Sequence, residues 1–361
     1  MSDREALRLD FLKSAGLGAA VRAPLPGDAS TRRYERLTLA SGATLMLMDQ
    51  APSAESPPAD PSWTPERRRA EGWNATARLS AGRIDAFAAV ATHLRSVGLS
   101  APEVVALDVA NGLAVLEDLG DDLFARAIEA GQPEAPLYMA AVEALARLHA
   151  ASTPEVLTGP GGDWPLQTYD ATALKGGADL FVEWLPQLRP ELAFSDEART
   201  RWDAAWTPVV EAAQNAASVM AHRDYHAENL IWLPARQGAA RVGMIDFQDA
   251  VRAHPGWDLH SLLQDARRDV SPELEAAALD RYFALRPGID REAFMADYAA
   301  LATLNEARIL GIFARLIVRD GKPRYAAFMP RMWAHLTANL PRTPAPLGAW
   351  FAQYVPPELR R

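Results

Sequence analysis

The sequence has no cysteine, which excludes disulfides, iron–sulfur clusters and thiolate zinc sites and fits a reducing compartment. Positive charge is scarce. Lys+Arg total 37 against 46 Asp+Glu, a formal net charge of -9, and lysine occurs only as Lys13, Lys175 and Lys322. Such a surface repels phosphate backbones, so no nucleic-acid partner is expected. A single nucleotide stays admissible, because a metal ion and a few side chains can meet its charge locally. Long apolar runs are missing too. No stretch is long enough to span a bilayer, and MSDREALRLDFLKSAGLGAA at the N-terminus is broken by Asp3, Arg4, Glu5, Arg8, Asp10 and Lys13. The expectation is a soluble, cytoplasmic protein with no membrane partner.

What is present suffices for a substantial core: 361 residues, 49% of them hydrophobic, a length that suggests two domains or lobes. Residues 4–16 read as a short amphipathic helix. RRYERLTLASGATLMLMD alternates on both sides of Ser41-Gly42, and EVVALDVANGLAVLEDLG turns at Asn111-Gly112, so each reads as a hairpin. Between them lie a proline-rich loop (51–65) and a helical pattern over 83–99 that Gly98 stops. After Gly120 the texture changes. Segments 121–130, 134–151, 170–188 and 196–217 carry helical spacing, two short apolar runs follow (NLIWL and RVGMIDF), and helices resume to about 340. Strands first and helices after point to an α+β fold, with a small antiparallel-sheet lobe over 1–119 and a larger, mainly helical lobe over 120–361. A ligand cleft is expected at their junction.

MAHRDYHAENLIWLP (220–234) concentrates the chemistry. His222 and His226 stand four apart, as zinc ligands on a helix do, but the run into NLIWLP reads as a loop entering a strand and no H-E-x-x-H is present. The same letters spell H-x-D-x-x-x-x-N. Transfer of a γ-phosphoryl group to a hydroxyl needs a carboxylate to position that hydroxyl and accept its proton, and oxygen ligands for Mg²⁺. Asp224 supplies the first, Asn229 an amide oxygen, and GMIDFQD an apolar strand ending in Asp246 for the same ion. Either aspartate alone reads equally well as a turn or capping residue; two at this spacing between β-like runs favour catalysis. His222 is expected to orient the loop, His226 and Glu228 to face solvent, and Asp258 to N-cap the helical run behind it.

HRDYHAEN, IDFQD and WDLHSLLQDAR together resemble the aminoglycoside-phosphotransferase superfamily of small-molecule kinases, over nearly the whole chain. More narrowly, GDASTRRYERL, LMDQAP, VLEDLGDDL, LFVEWLP and GIFARLIVRDGKPRY are similar to the bacterial anomeric sugar kinases. The resemblance implies a bilobal protein-kinase-like fold with ATP and Mg²⁺ as cofactors. It also implies phosphorylation of N-acetylmuramate or N-acetylglucosamine at the anomeric hydroxyl, giving the sugar 1-phosphate, in cell-wall recycling. It carries over Asp224 as a catalytic base that touches the acceptor, and Asn229 and Asp246 as magnesium ligands. LEDLG (116–120) becomes a hinge whose Glu117 and Leu119 backbones meet adenine, the alternative being a plain strand end and turn.

The pattern departs from protein kinases at two places. No G-x-G-x-x-G covers the phosphates, GDASTRRY opening the first hairpin instead, and TLMLMD offers methionines where a phosphate-binding lysine belongs. Ser30, Thr31 and Arg32 or Arg33 are the expected replacements, arginine meeting the anion with forked geometry. On the acceptor side, Arg308, Arg315 and Arg319 share one helical face. They read as partners for an anionic acceptor, such as the lactyl carboxylate of N-acetylmuramate, or as a solvated basic stripe. Glu183 and Trp184 are suited to accept a sugar hydroxyl and stack on a pyranose, or in the tryptophan's case to fill core. Two other functions compete: a kinase for aminoglycosides or other amino alcohols, and, given the lost lysine, a nucleotide-binding pseudokinase.

Overall fold

The computed structural model describes residues 3–26, 32–51, 57–80 and 82–360. The chain forms two units, Met1–Gln167 with Ala227–Ala250, and Thr168–His226 with Val251–Arg361. Helices and an antiparallel sheet are segregated along the chain, the α+β arrangement that the patterning predicts.

In the first unit, β1 (Val21–Pro24), β2 (Arg33–Thr38), β3 (Thr44–Asp49), β4 (Val104–Asp108) and β5 (Leu113–Glu117) make an antiparallel sheet in the order β1-β2-β3-β5-β4. Alternation fixes its faces: along β2, Glu35 and Leu37 are buried and their neighbours are not. Leu37, Leu47, Leu113 and Val115 pack against Phe11 and Leu12 of α1 (Asp3–Ser14). The β4–β5 turn requires glycine, since Gly112 lies at φ +65 and a Cβ there would stand 2.2 Å from the Gln50 carbonyl oxygen. Helices α2 (Pro65–Glu71), α3 (Ile84–Ser96), α4 (Phe124–Glu129) and α5 (Glu134–Ala150) complete the unit with two small hairpins. One pairs Val156–Gly159 with Gly162–Pro165; the other pairs Leu230–Trp232 with Val242–Met244.

The second unit is helical: α6 (Ala171–Leu188), α7 (Asp196–Asn215), α8 (Gly256–Leu263), α9 (Pro272–Leu285), α10 (Arg291–Val318), α11 (Met329–Asn339) and α12 (Ala345–Tyr354). Four of these starts are written in the sequence as side-chain caps, with Asp170, Ser195, Ser271 and Asp290 each accepting an otherwise orphaned first-turn amide. Helices α6 and α10 cross at Gly311, where a Cβ would come within 2.3 Å of the Leu180 carbonyl carbon, so the backbones meet only because the side chain is absent. Phe181 centres an aromatic core with Trp202, Trp333, Trp350 and Phe351.

Helix α10 also buries Glu306, which accepts from Asn339 Nδ2 (2.8 Å) and lies 3.4 Å from His260 Nε2. Burial drives the Glu306 carboxyl up to about 8, outweighing the opposing pull of His335, and drives the His260 imidazole down to about 4. Between the ordinary value of 4.5 and about 8, folded protein holds a proton that the unfolded chain has released. Glu306 therefore stabilises the fold at low pH and loses that contribution as pH rises through this window. His260 acts oppositely, and only below its ordinary value of 6.5. From pH 6.5 to 8.5 stability should fall, by at most about 1.4 kcal/mol per pH unit, and Glu306→Gln should flatten the slope. Urea unfolding across that range measures it; identical slopes in the two proteins contradict the assignment.

Candidate functional site

The hairpin of Leu230–Trp232 and Val242–Met244 brings Asn229 and Asp246 to one end, because the Ile245 N–H donates to the Asn229 carbonyl (3.1 Å) and extends the ladder by a rung. Asp246 sits at φ +63, a left-handed conformation that a non-glycine residue holds only when its surroundings impose it. Those surroundings are visible. The buried Arg32 guanidinium pairs with the Asp246 carboxylate and donates to Gln248 Oε1 (2.5 Å), while Gln248 Nε2 donates to Asp246 Oδ1 (3.1 Å). Burial disfavours the arginine cation, and Asp246, Tyr34 and Asp249 more than offset it, so its pKa stays above the usual value.

A second layer holds Gln248. Ser80 Oγ donates to the Gln248 carbonyl (2.5 Å) and to Asp249 Oδ1 (3.0 Å), and Arg78 Nη2 donates to Asp249 Oδ2 (2.8 Å). Arg78 ends a π-helical turn (Asn74–Arg78), and Leu79 beside it is another left-handed residue, φ +64. Phe247 stacks on Phe87 of α3, with centroids 4.7 Å apart. Gln248, Ser80 and Arg78 escaped the sequence reading, since nothing in their spacing links residues about 170 positions apart (Arg78 to Asp249 spans 171).

Arg32, Glu117, Leu119, Asn229 and Asp246 line one cavity of about 380 Å³. Tyr34, Arg36 and Glu228 join them; Met46, Phe87 and Ile231 supply apolar wall. Glu228, expected in solvent, is half-buried here because its backbone runs straight into the hairpin. The Glu117 N–H donates to the Glu103 carbonyl (2.8 Å), and its carboxylate is held by Arg236 and Arg95. Arg33 is exposed and does not line the cavity. Ser30 and Thr31 lie outside the described residues.

In the second unit, strands Val219–Ala221 and Val251–Ala253 pair antiparallel and deliver residues 222–226 as a loop. His222 and His226 therefore share no helical face, and among the described residues no cluster of three or more His, Cys, Asp or Glu has metal-binding geometry. The zinc reading falls. The loop is pinned by Asp258, whose carboxylate accepts the amides of His222 (2.6 Å) and Arg223 (2.8 Å), while Trp257 Nε1 donates to the Arg223 carbonyl (3.0 Å). Arg223 is left-handed, φ +82, and turns the chain so that half-buried Asp224 follows it.

This corrects the capping role expected for Asp258. The residue before α8 is Pro255, and Asp258 sits a turn inside, fully buried with two charge-assisted bonds to the loop. A buried carboxylate needs such donors, and a strained loop has amides to give. Asp258→Ala should leave both amides unsatisfied, costing about 2–5 kcal/mol, with kcat down at least about tenfold. Denaturant unfolding and initial rates check this; wild-type values for both contradict it.

The residues expected on the acceptor side lie on or just after α6 and α10, two helices that pack together, and Arg315 acts electrostatically on the Glu183 carboxyl. Glu183 is exposed on α6 and Trp184 half-buried, outside the aromatic core around Phe181. Arg315 is half-buried; Arg319 is exposed and pairs with Asp320 (2.7 Å). Arg308 is half-buried and donates to Asn305 Oδ1 (2.9 Å).

Comparison with known proteins shows what the whole chain is similar to. The profile described as "Phosphotransferase enzyme family" matches residues 21–295. The chain is 58% identical over 361 residues to an N-acetylmuramate/N-acetylglucosamine kinase of Caulobacter vibrioides, covering 100% of this chain and 99% of that one. It is 28% identical to a kinase of the same name from Pseudomonas putida, covering 90% and 86%. Among solved structures, a choline/ethanolamine kinase family protein from Mesorhizobium loti aligns with TM-score 0.58 at 17% identity, over 96% of this chain and 98% of that one. ADP-bound aminoglycoside phosphotransferase APH(2'')-Ib aligns with TM-score 0.53 at 13% identity, over 95% and 98%. At these identities the structural likeness concerns the fold alone, which is the protein-kinase-like α+β fold of such enzymes.

Proposed function

The chain belongs to the phosphotransferase enzyme family, and from that premise we propose an ATP-dependent kinase of N-acetylated amino sugars, acting at the anomeric hydroxyl. The product is a sugar 1-phosphate, and the acceptors are N-acetylmuramate and N-acetylglucosamine, sugars that cell-wall recycling supplies. The observation that carries this reading is the 58% identity across the full length with a kinase of that name.

The residues have the chemistry the reaction needs. Asp224 orients the anomeric hydroxyl and takes its proton as the new O–P bond forms and the bond to ADP breaks. With the acceptor oxygen attacking phosphorus directly, catalysis rests on position and charge compensation. The Asn229 amide oxygen and the Asp246 carboxylate are hard donors that would hold Mg²⁺, which typically takes one or two protein oxygens and completes its shell with phosphate and water. When bound, that ion neutralises charge on the transferring group. Arg32 is the phosphate-side cation that stands in for the missing lysine, already buried at Asp246. Contact with adenine rests on the Glu117 carbonyl and the Leu119 amide, since the Glu117 N–H is engaged by Glu103.

An acceptor screen tests the assignment. With ATP and Mg²⁺, ADP release is expected with N-acetylmuramate and N-acetylglucosamine. Turnover of aminoglycosides or ethanolamine with no reducing sugar accepted overturns it.

A further inference from the structure

Tyr169 precedes the cap of α6, and its backbone amide donates to the Arg252 carbonyl (2.8 Å). Its side chain is 1% exposed. One face carries the Arg223 guanidinium, 4.5 Å from the ring centroid, and Trp257 packs edge-on at 4.8 Å. These are the residues that fix the Asp224 loop, so the tyrosine is built into its underside. Yet the Tyr169 hydroxyl has no hydrogen-bond partner among the described residues, a vacancy that costs about 1–3 kcal/mol when buried.

Arg308 and that hydroxyl both flank Gly177. The position a Cβ would take at Gly177 is 3.7 Å from Tyr169 Oη and 3.1 Å from Arg308 Cδ. The bare glycine thus lets the arginine stem lie on α6 beside the phenol. Arg308 Nη1 donates to Asn305 Oδ1 (2.9 Å), which leaves Asn305 Nδ2 to donate to His260 Nδ1 (3.3 Å). His260 Nε2 then carries the hydrogen and faces Glu306, at 3.4 Å. With His260 and Glu306 both neutral near pH 7, this chain orients Arg308 without cancelling its charge. Arg308 Nε is buried without a partner, and among the described residues no carboxylate pairs with this guanidinium. Arg319, by contrast, has Asp320.

Two donor atoms beside Gly177, the Tyr169 hydroxyl and Arg308 Nε, are left without an acceptor among the described residues, and Tyr169 packs on the loop that carries Asp224. A carboxylate supplies what is missing: negative charge, planarity for the guanidinium fork, and a lone pair for the phenol. We propose that Arg308 and Tyr169 form a carboxylate subsite for the acceptor, with Gly177 admitting the arginine stem and Asn305 holding its head. The inference rests on the proposed function for the identity of that carboxylate, the lactyl group that N-acetylmuramate has and N-acetylglucosamine lacks. Tyr169, Gly177 and Asn305 then become specificity determinants of the acceptor.

The test is the selectivity ratio, kcat/KM for N-acetylmuramate over kcat/KM for N-acetylglucosamine, in Tyr169→Phe and Arg308→Gln. Calorimetric titration of the same proteins with each sugar runs alongside. Loss of a hydrogen bond to a charged group predicts a ratio lowered about 10–100-fold in Arg308→Gln and about 5–20-fold in Tyr169→Phe, mostly through KM. Variants that weaken both sugars alike, or neither, overturn the subsite and leave the kinase assignment standing. A wild type that turns over neither sugar yet binds N-acetylmuramate through Arg308 overturns the assignment and leaves the subsite. Neither turnover nor binding overturns both.

Discussion

Asp224→Asn should lower kcat by about 10³-fold or more while ATP affinity stays within about twofold. Asparagine is nearly isosteric and still accepts a hydrogen bond from the acceptor hydroxyl, but it cannot take that hydroxyl's proton. The substitution keeps the loop's backbone anchors, the His222 and Arg223 amides on Asp258 and the Arg223 carbonyl on Trp257 Nε1. A steep loss of kcat with little change in nucleotide binding is what loss of a transition-state role looks like. Initial rates at saturating ATP, with a parallel nucleotide titration, measure both. Equal activity in mutant and wild type rejects the proton-accepting role. A wild type without turnover on any acceptor brings back the pseudokinase.

Arg32→Ala should lower kcat/KM for ATP by about 10²-fold or more, and Arg33→Ala by less than about twofold. The two arginines are adjacent in sequence but differ in environment: Arg32 is buried on Asp246 and Gln248, Arg33 is exposed. Removing Arg32 strips a buried cation from a carboxylate held in a left-handed conformation, and both binding of the ion and the phosphate-side charge should suffer. Arg32→Lys should recover part of the loss, since an ammonium supplies the charge but not a fork that reaches two acceptors. ATP titrations and steady-state rates on the three variants decide it. Alanine variants at both positions that match wild type remove arginine from the nucleotide site.

Much of the fold is legible in the sequence because it is encoded locally. The caps at Asp170 and Ser195 and the turns at Gly42 and Gly112 are chain-local chemistry, and the elements they bound stand within a few residues of where the pattern puts them, whereas the helices that Ser271 and Asp290 cap have no separate bounds in the pattern. What escapes is short or non-local. The hairpin in VLTGPGGDWP has too much glycine and proline to alternate, and Val219–Ala221 owes its strand character to Val251–Ala253, thirty-odd residues on, as their register shows. The candidate residues divide the same way. Asp224, Asn229 and Asp246 stand out because their spacing is a motif, whereas Asp258, Gln248 and Tyr169 matter through partners that only folding supplies. Asp258 shows the trap: an aspartate near a helix start resembles a cap until its carboxylate is seen to hold another loop.

The oxygen that receives the phosphoryl group separates an anomeric kinase from every alternative. Incubating the protein with ATP, Mg²⁺ and N-acetylglucosamine, and separately with its methyl glycoside, then reading the product by proton and phosphorus NMR, addresses it directly. The prediction is a phosphorus-coupled anomeric signal from the free sugar and no product from the glycoside, whose anomeric oxygen is blocked. Phosphorylation of the methyl glycoside, or a product from the free sugar whose anomeric proton shows no coupling to phosphorus, contradicts it.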